Sequence, residues 1–227
     1  MTKTGTIRAV LRGKAQPLGR TASAIAKQIV GGPVLVHHLG LDGDEQADRR
    51  VHGGEDKAIH CYAWEHYGAW RQELPACDLF SAPGAFGENL SIDGLNEGDT
   101  CIGDRWQIGS VIVNVVQGRQ PCFKLNLRFG VDDMAARVQH SLRAGWYLRV
   151  EQPGEISAGD RVVLLDRPFP SYSIARLLGM IRNRETGQDV IAPVLDLPLP
   201  PAWRKLFERR LQSGQVEDWS SRMGLRD

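Results

Sequence analysis

Apolar residues fall along this chain in two rhythms, and the change comes near residue 166. Before it, short runs dominate at residues 6–11, 33–37, 57–62, 89–92, 106–108, 111–116, 146–150 and 161–165. Trp146, Leu148 and Val150 alternate with Tyr147, Arg149 and Glu151, the period of two of a half-buried strand. Glycines punctuate these runs, among them Gly40, Gly43, Gly87, Gly94, Gly103 and Gly159. Many short strands with frequent turns predict a barrel or curled sheet, not a doubly wound fold. Two helical stripes interrupt the strands. One covers residues 65–74, with Tyr67, Trp70 and Leu74 on one side and Pro75 as its stop. The other covers 132–143, with Met134, Ala135, Val138 and Leu142 on one face and Gly145 past its end.

After residue 166 the rhythm becomes helical. Pro168 and Pro170 mark a linker. Ile174, Leu177, Leu178 and Ile181 follow the i, i+3, i+4, i+7 template. Val190, Ile191, Val194 and Leu195 make a shorter stripe that Pro198 ends. A third helix starts at Pro201, carries Trp203, Leu206, Phe207 and Leu211, and stops before Gly214. The expected fold is mainly β (α+β): a barrel with peripheral helices over residues 1–166 and a small all-α three-helix segment over 167–227. Three short amphipathic helices cannot bury their stripes alone, so Leu177, Leu178, Trp203 and Phe207 should pack inward.

Composition narrows the function classes. At 227 residues the chain buries roughly 70% of its unfolded surface without staples. Lysine and arginine number 28 against 27 acids, a net charge of +1, which argues against a nucleic-acid polymer or a membrane surface as partner. The first residues run into a strand-like segment with no apolar signal region, and the longest apolar runs are about a third of a membrane span. The cytoplasm is the expected compartment. The four cysteines, Cys61, Cys77, Cys101 and Cys122, form no C-x-x-C pair, so neither a disulfide framework nor a zinc or iron–sulfur site is expected.

Cys122 stands apart from the other three. It follows the most apolar run in the chain, Val111-Ile112-Val113-Asn114-Val115-Val116, in the loop Gln117-Gly118-Arg119-Gln120-Pro121-Cys122-Phe123-Lys124. Pro121 restrains the backbone there, and Arg119 and Lys124 flank the thiol. Nearby cations favour a thiolate, which serves as a nucleophile or as a ligand for a soft metal. An ordinary packed cysteine satisfies the same pattern. Cys61, Cys77 and Cys101 lack such a frame and read as structural.

The order of motifs resembles the MOSC family, named for the C-terminal domain of molybdenum cofactor sulfurases, and in particular its YiiM-type members, which append a three-helix segment to the barrel. The resemblance rests on Gly40-Leu41-Asp42-Gly43-Asp44, Asp48-Arg49-Arg50-Val51-His52-Gly53-Gly54, Lys57-Ala58-Ile59-His60, Gly87-Glu88-Asn89-Leu90 and the Gln-x-Arg-x-Pro-Cys segment ending at Cys122. It implies a molybdenum–pterin cofactor in a barrel cleft with Cys122 as the metal's protein ligand. Arg49, His52 and Lys57 would receive the cofactor's anionic group. Gln117, Arg119 and Lys124 would join them from the cysteine's own loop. Glu88 and Asn89 would either touch the pterin or substrate, or simply cap a turn. His60 fits a satisfied interior histidine or a site residue equally well.

The activity implied is reduction of small N-hydroxylated compounds, such as hydroxylamino-purines, and so detoxification of N-hydroxylated bases. The chain carries no dinucleotide fingerprint or iron–sulfur spacing, so an external electron-donating reductase is the expected partner. Two other functions share these residues. A persulfide carrier or transferase would use the same thiol, and a non-catalytic module would bind the cofactor without turnover. No aminotransferase-like half is present, so desulfuration of cysteine by pyridoxal phosphate is not available to this chain.

Overall fold

A computed structural model describes residues 3–47 and 53–224. In chain order its first strands are β1 (Gly5–Arg12), β2 (Gln16–Leu18), β3 (Thr21–Ser23), β4 (Gln28–Val30), β5 (Val34–His37) and β6 (Gly40–Leu41). Then come β7 (Ile59–Ala63), α1 (Glu65–Glu73), β8 (Leu90–Asp93), β9 (Arg105–Ile108) and β10 (Val111–Gly118). Two short helices, α2 (Lys124–Phe129) and α3 (Met134–Ser141), precede β11 (Trp146–Gln152), β12 (Gly154–Ile156) and β13 (Arg161–Asp166). The chain ends in α4 (Ile174–Arg182), α5 (Gln188–Ile191), α6 (Pro201–Ser213) and α7 (Ser220–Met223).

Among the described residues, seven strands close into a barrel in the order β13, β9, β10, β11, β7, β8, β1, which pairs back onto β13. Gly5 opposite Val162 and Thr6 opposite Arg161 make the closing pair. Closure removes the free edges that an open sheet would expose. All neighbours run antiparallel except β7 and β8. A parallel pair needs a long crossover, and the stretch carrying α1 provides it. Tyr67 and Trp70 of that helix are buried, and Tyr62 stacks on Phe86 with ring centroids 4.2 Å apart. A barrel with peripheral helices and a helical C-terminal segment is therefore what the alternating pattern describes.

Inside the barrel the pleat decides burial. Trp146, Leu148 and Val150 of β11 point inward while Arg149 and Glu151 are exposed. In β10, Val111, Val113 and Val115 alternate with half-buried neighbours, but from Val115 to Gly118 every residue is buried. The alternation ends because α4 covers the outer face there. A Cβ at Gly118 would lie 2.7 Å from Leu178 Cγ, so only glycine lets helix and strand approach this closely. Leu177, Leu178, Trp203 and Phe207 are buried as expected and share one hydrophobic cluster with the barrel interior.

Several expectations change. Residues 57–62 are not one strand: Glu55–Lys57 form a 3-10 turn before Ile59 begins β7. The helix expected over 132–143 is shorter because Leu142 takes a left-handed φ of 61° at its end. Val190 is exposed, since α5 is a single turn whose buried positions are Ile191 and then Val194. The loop read through Lys124 instead becomes α2 at that residue.

Gly118→Ala should destabilise the protein by about 1–3 kcal/mol through overpacking against Leu178. In a Leu178→Ala background the same change should cost markedly less, and a double-mutant cycle by chemical denaturation measures the difference. Additive effects would mean that α4 does not seat on the end of β10.

Candidate functional site

Strand β10 leads directly into the cysteine loop. Arg119 N–H donates to Gly145 O at 2.9 Å, prolonging the strand pairing past Gly118. Pro121 is buried, and Leu125 N–H closes onto Cys122 O at 2.9 Å to begin α2. The half-buried Cys122 is thus fixed between a strand end and a helix start. Two cavities meet at it. The inner one is lined by Lys27, His60, Asn89 and Arg119, the outer one by Thr21, Gln117, Phe123 and Arg222. Ala47, Lys57, Cys122, Lys124 and Tyr147 line both.

The inner cavity is cationic, and its charges are held in place. Lys27 pairs with Asp44, their side chains only 7% and 6% exposed. Asp44 also accepts from Gly13 N–H at 2.7 Å and from Asn89 Nδ2 at 2.8 Å. Burial pushes the Lys27 ammonium below the usual lysine range despite Asp44. Lys124 Nζ donates to Ala22 O at 3.0 Å. Arg119 is buried against the Tyr147 hydroxyl, yet its Nη1 has no hydrogen-bond partner among the described residues. A buried guanidinium nitrogen without a partner is costly unless an acceptor comes to it.

His60 lies on the floor of this cavity, 5% exposed, its ring centroid 5.0 Å from that of Tyr147. Burial first, then the Arg119 charge, pull its pKa down to about 3, so it is neutral at neutral pH. It is both an interior histidine and a cavity residue. Burial also raises the Tyr147 phenol, with Arg119 opposing the shift.

Arg119 and Lys124 line the cavity with the thiol, as their places in the loop lead one to expect. They are also engaged with Tyr147 and Ala22. Lys57 and Arg222 also stand near enough to feel the Cys122 sulfur. Burial lowers both of them, and the cysteine opposes that shift. Gln117 is 3% exposed, donates from Nε2 to Asp56 O at 3.2 Å and faces the outer cavity.

Glu88 is not brought to the site. It lines neither cavity, and its carboxylate accepts from the Tyr67 hydroxyl, Gly84 N–H at 2.7 Å and Phe86 N–H at 3.1 Å. It pins the turn before β8. Asn89 beside it does reach the cavity, with Oδ1 accepting from His60 N–H at 3.1 Å. Arg49 and His52 lie outside the described residues. The described neighbours on either side of that stretch, Ala47 and Lys57, both line the cavities. Lys27, Asp44, Tyr147 and Arg222 escaped the sequence reading. Of these only Asp44 stood in a recognised motif.

Of the other cysteines, Cys61 and Cys101 are buried, and burial raises both thiols. Cys77 is half-buried and lines neither cavity. Among the described residues no group of three His, Cys, Asp or Glu side chains could hold a metal ion. The cationic inner cavity and the Arg119 nitrogen without a partner among the described residues suit an anionic, hydrogen-bonding ligand. No helix among the described residues is long and apolar enough to cross a membrane.

A closed barrel presenting one loop cysteine to a cationic cleft, with a helical segment packed on its side, defines the class to which the molecule belongs. The family model for the MOSC domain matches residues 48–163, and that for the YiiM-like, 3-alpha helix domain matches residues 173–214. Protein YiiM of Escherichia coli (strain K12) is 38% identical over 212 residues, covering 92% of this chain and 93% of that one. A protein of Gibberella moniliformis (strain M3125 / FGSC 7600) named "Reductase" is 39% identical over 197 residues, or 86% of this chain and 35% of that protein. The crystal structure of YiiM from Escherichia coli superposes with a TM-score of 0.80 at 30% identity, covering 96% of this chain and 98% of that one. The chain belongs to the MOSC family and is of the YiiM type.

Because His60 titrates near 3 in the fold and near 6.5 when unfolded, the unfolded state binds the extra proton between those values. Stability therefore rises with pH across that window and falls as pH drops below 6.5. Between about pH 7.5 and about pH 5.5 the native protein should lose roughly 1 kcal/mol more than a His60→Gln variant. Urea midpoints at the two pH values measure it, and equal losses would refute the buried neutral imidazole.

Proposed function

We propose that this protein is a molybdenum-cofactor-dependent reductase of small N-hydroxylated compounds, hydroxylamino-purines among them. The observation that carries the reading is Cys122, fixed at the junction of a cationic inner cavity and a separate outer one. Membership of the MOSC family and the fungal relative named "Reductase" support it. The bound cofactor supplies two-electron chemistry at its metal. The overall change is R–NHOH plus two electrons and two protons to R–NH2 plus water, with the N–O bond breaking. The electrons come from a separate electron-donating reductase.

Cys122 provides the protein's soft ligand through its sulfur. Lys57, Arg119 and Lys124 neutralise the cofactor's anionic charge, Arg119 through the Nη1 that has no partner among the described residues. Arg49 and His52, in the stretch between Ala47 and Lys57, are assigned to the same task. Gln117 and the Tyr147 hydroxyl offer hydrogen bonds to the pterin or the substrate, while Asn89, its amide held by His60, Leu11 and Asp44, shapes the cavity wall. The neutral His60 adds no charge at neutral pH. Glu88 has no contact role, because its carboxylate is already satisfied.

Cys122→Ser should keep the fold and reduce turnover of 6-hydroxylaminopurine by cofactor-loaded protein to background. Single substitutions of Cys61, Cys77 or Cys101 should retain turnover and lose at most some stability. The assay is product formation with a competent electron donor, alongside molybdenum and pterin content. Near-normal turnover by Cys122→Ser would overturn the thiolate-ligand role. Cyanide-releasable sulfur without molybdenum would identify a persulfide carrier instead. Bound molybdenum without turnover of any N-hydroxylated substrate would identify a non-catalytic module.

A further inference from the structure

The chain does not end with the three-helix segment. After α6 it returns to the cysteine loop, and α7 seats directly on it. Arg222 Nη1 donates to Pro121 O at 2.6 Å and Nη2 to Gln139 Oε1 at 2.6 Å. Its own carbonyl accepts from Phe123 N–H at 2.7 Å, and Met223 O accepts from Asn126 Nδ2 at 3.1 Å. The residues immediately before and after Cys122 are thus both tied to Arg222.

That contact is braced from the helical core. Arg210 is fully buried and donates to the carbonyls of Met180 and Glu185 at 3.2 Å and of Ile181 at 3.3 Å. Its Nε and Nη2 also donate to the Glu217 carboxylate, each at 2.9 Å. Glu217 in turn accepts from Trp219 Nε1 at 2.7 Å, and the Arg222 guanidinium lies 5.7 Å from the Trp219 ring centroid. A buried charge satisfied this fully is a rigid anchor. The turn it holds also lines the outer cavity, through Asp218, Ser221 and Arg222, opposite Thr21 and Ala22 of the β2–β3 hairpin.

We propose that the turn from Asp218 to Met223 is a wall of the active site: Arg222 is a positioning residue for the cysteine loop, and the turn sets which substrates reach Cys122. Substrate reaches the Cys122 sulfur through the larger, outer cavity. Its walls offer the Phe123 and Tyr147 rings, the Gln117 and Gln120 amides and the Asp218 carboxylate. They suit a flat heteroaromatic hydroxylamine better than a branched aliphatic one. This assignment of substrate rests on the reductase reading; the wall itself does not.

The test uses full-length protein and two thiol reagents, iodoacetamide and a bulky fluorescein maleimide, with labelling of each cysteine followed by peptide mass spectrometry. The measured quantity is the ratio of small-reagent to large-reagent rates at Cys122, in which changes in thiol reactivity largely cancel. Arg222→Met should lower this ratio about tenfold, equivalent to about 1.4 kcal/mol of access barrier. Arg222→Lys should recover part of it. Ser221→Trp, which narrows the cavity from the exposed side, should raise it. Buried Cys61 and Cys101 report unfolding, and if they become labelled in Arg222→Met the decision passes to Ser221→Trp. Unchanged ratios in folded variants would overturn the wall. In loaded protein, the preference for 6-hydroxylaminopurine over the small hydroxyurea, as a ratio of kcat/KM, should shift in the variants. An unshifted preference would overturn the substrate assignment. Native protein that turns over neither compound would remove the reductase reading while the labelling ratio still decides the wall.

Discussion

Strand β10 is the constraint on which the site depends. It is paired on both sides, by β9 and β11, and from Val115 onward it is covered on both faces. A strand so enclosed cannot slip by one residue without turning its apolar set outward. Its last residue therefore delivers the chain to a fixed point, where Arg119 makes one more pairing bond and Pro121 limits the turn. Everything asked of Cys122 follows from that delivery. The tight approach of Leu178 at Gly118 makes the added helices part of the same constraint, because removing them would uncover the strand just where the loop departs.

The cationic cleft sits in a molecule whose net charge is only +1, so its character comes from placement and not from composition. Taking lysine and arginine out of water is unfavourable, and each buried cation here is met differently. Lys27 has a carboxylate, Lys124 a carbonyl, and Arg210 a carboxylate with three carbonyls. Arg119 is the exception, since one of its nitrogens has no partner among the described residues. A rigid site with an unsatisfied donor binds an acceptor without first having to reorganise, which favours affinity.

Much of this was legible in the chain. The period-two runs located most of the barrel strands, and the apolar run from Val111 to Val116 marked the strand that carries the cysteine loop. The motif order carried the family, and the helical stripes of 174–181 and 203–211 located the segment that packs on the barrel. What could not be read is what lies far apart in sequence. Lys27 meets Asp44 across 17 residues and Arg222 meets Pro121 across 101, and no local period encodes either. Helix α2 spans only six residues, too few for a stripe to emerge, so its start at Lys124 looked like loop. Glu88 and Asn89 are adjacent and polar, yet one turns into a backbone pin and the other into the cavity. The sequence shows their polarity and not their direction.

The division of labour between the two parts of the chain follows from where Cys122 stands. Cys122 lines both cavities, and under the proposed function it would be the protein's ligand to a metal that brings its other ligands with it. Arg119 and Lys124, the cations that the proposed cofactor would meet, come from the barrel's own cysteine loop. Ser221 and Arg222, which the barrel does not contain, line the outer cavity. On this reading the barrel fixes what chemistry the sulfur supports, and the appended segment governs what reaches it. The two meet at the loop's backbone, where Arg222 takes the Pro121 carbonyl and the Phe123 amide, and at Gly118, where Leu178 leaves no room for a side chain.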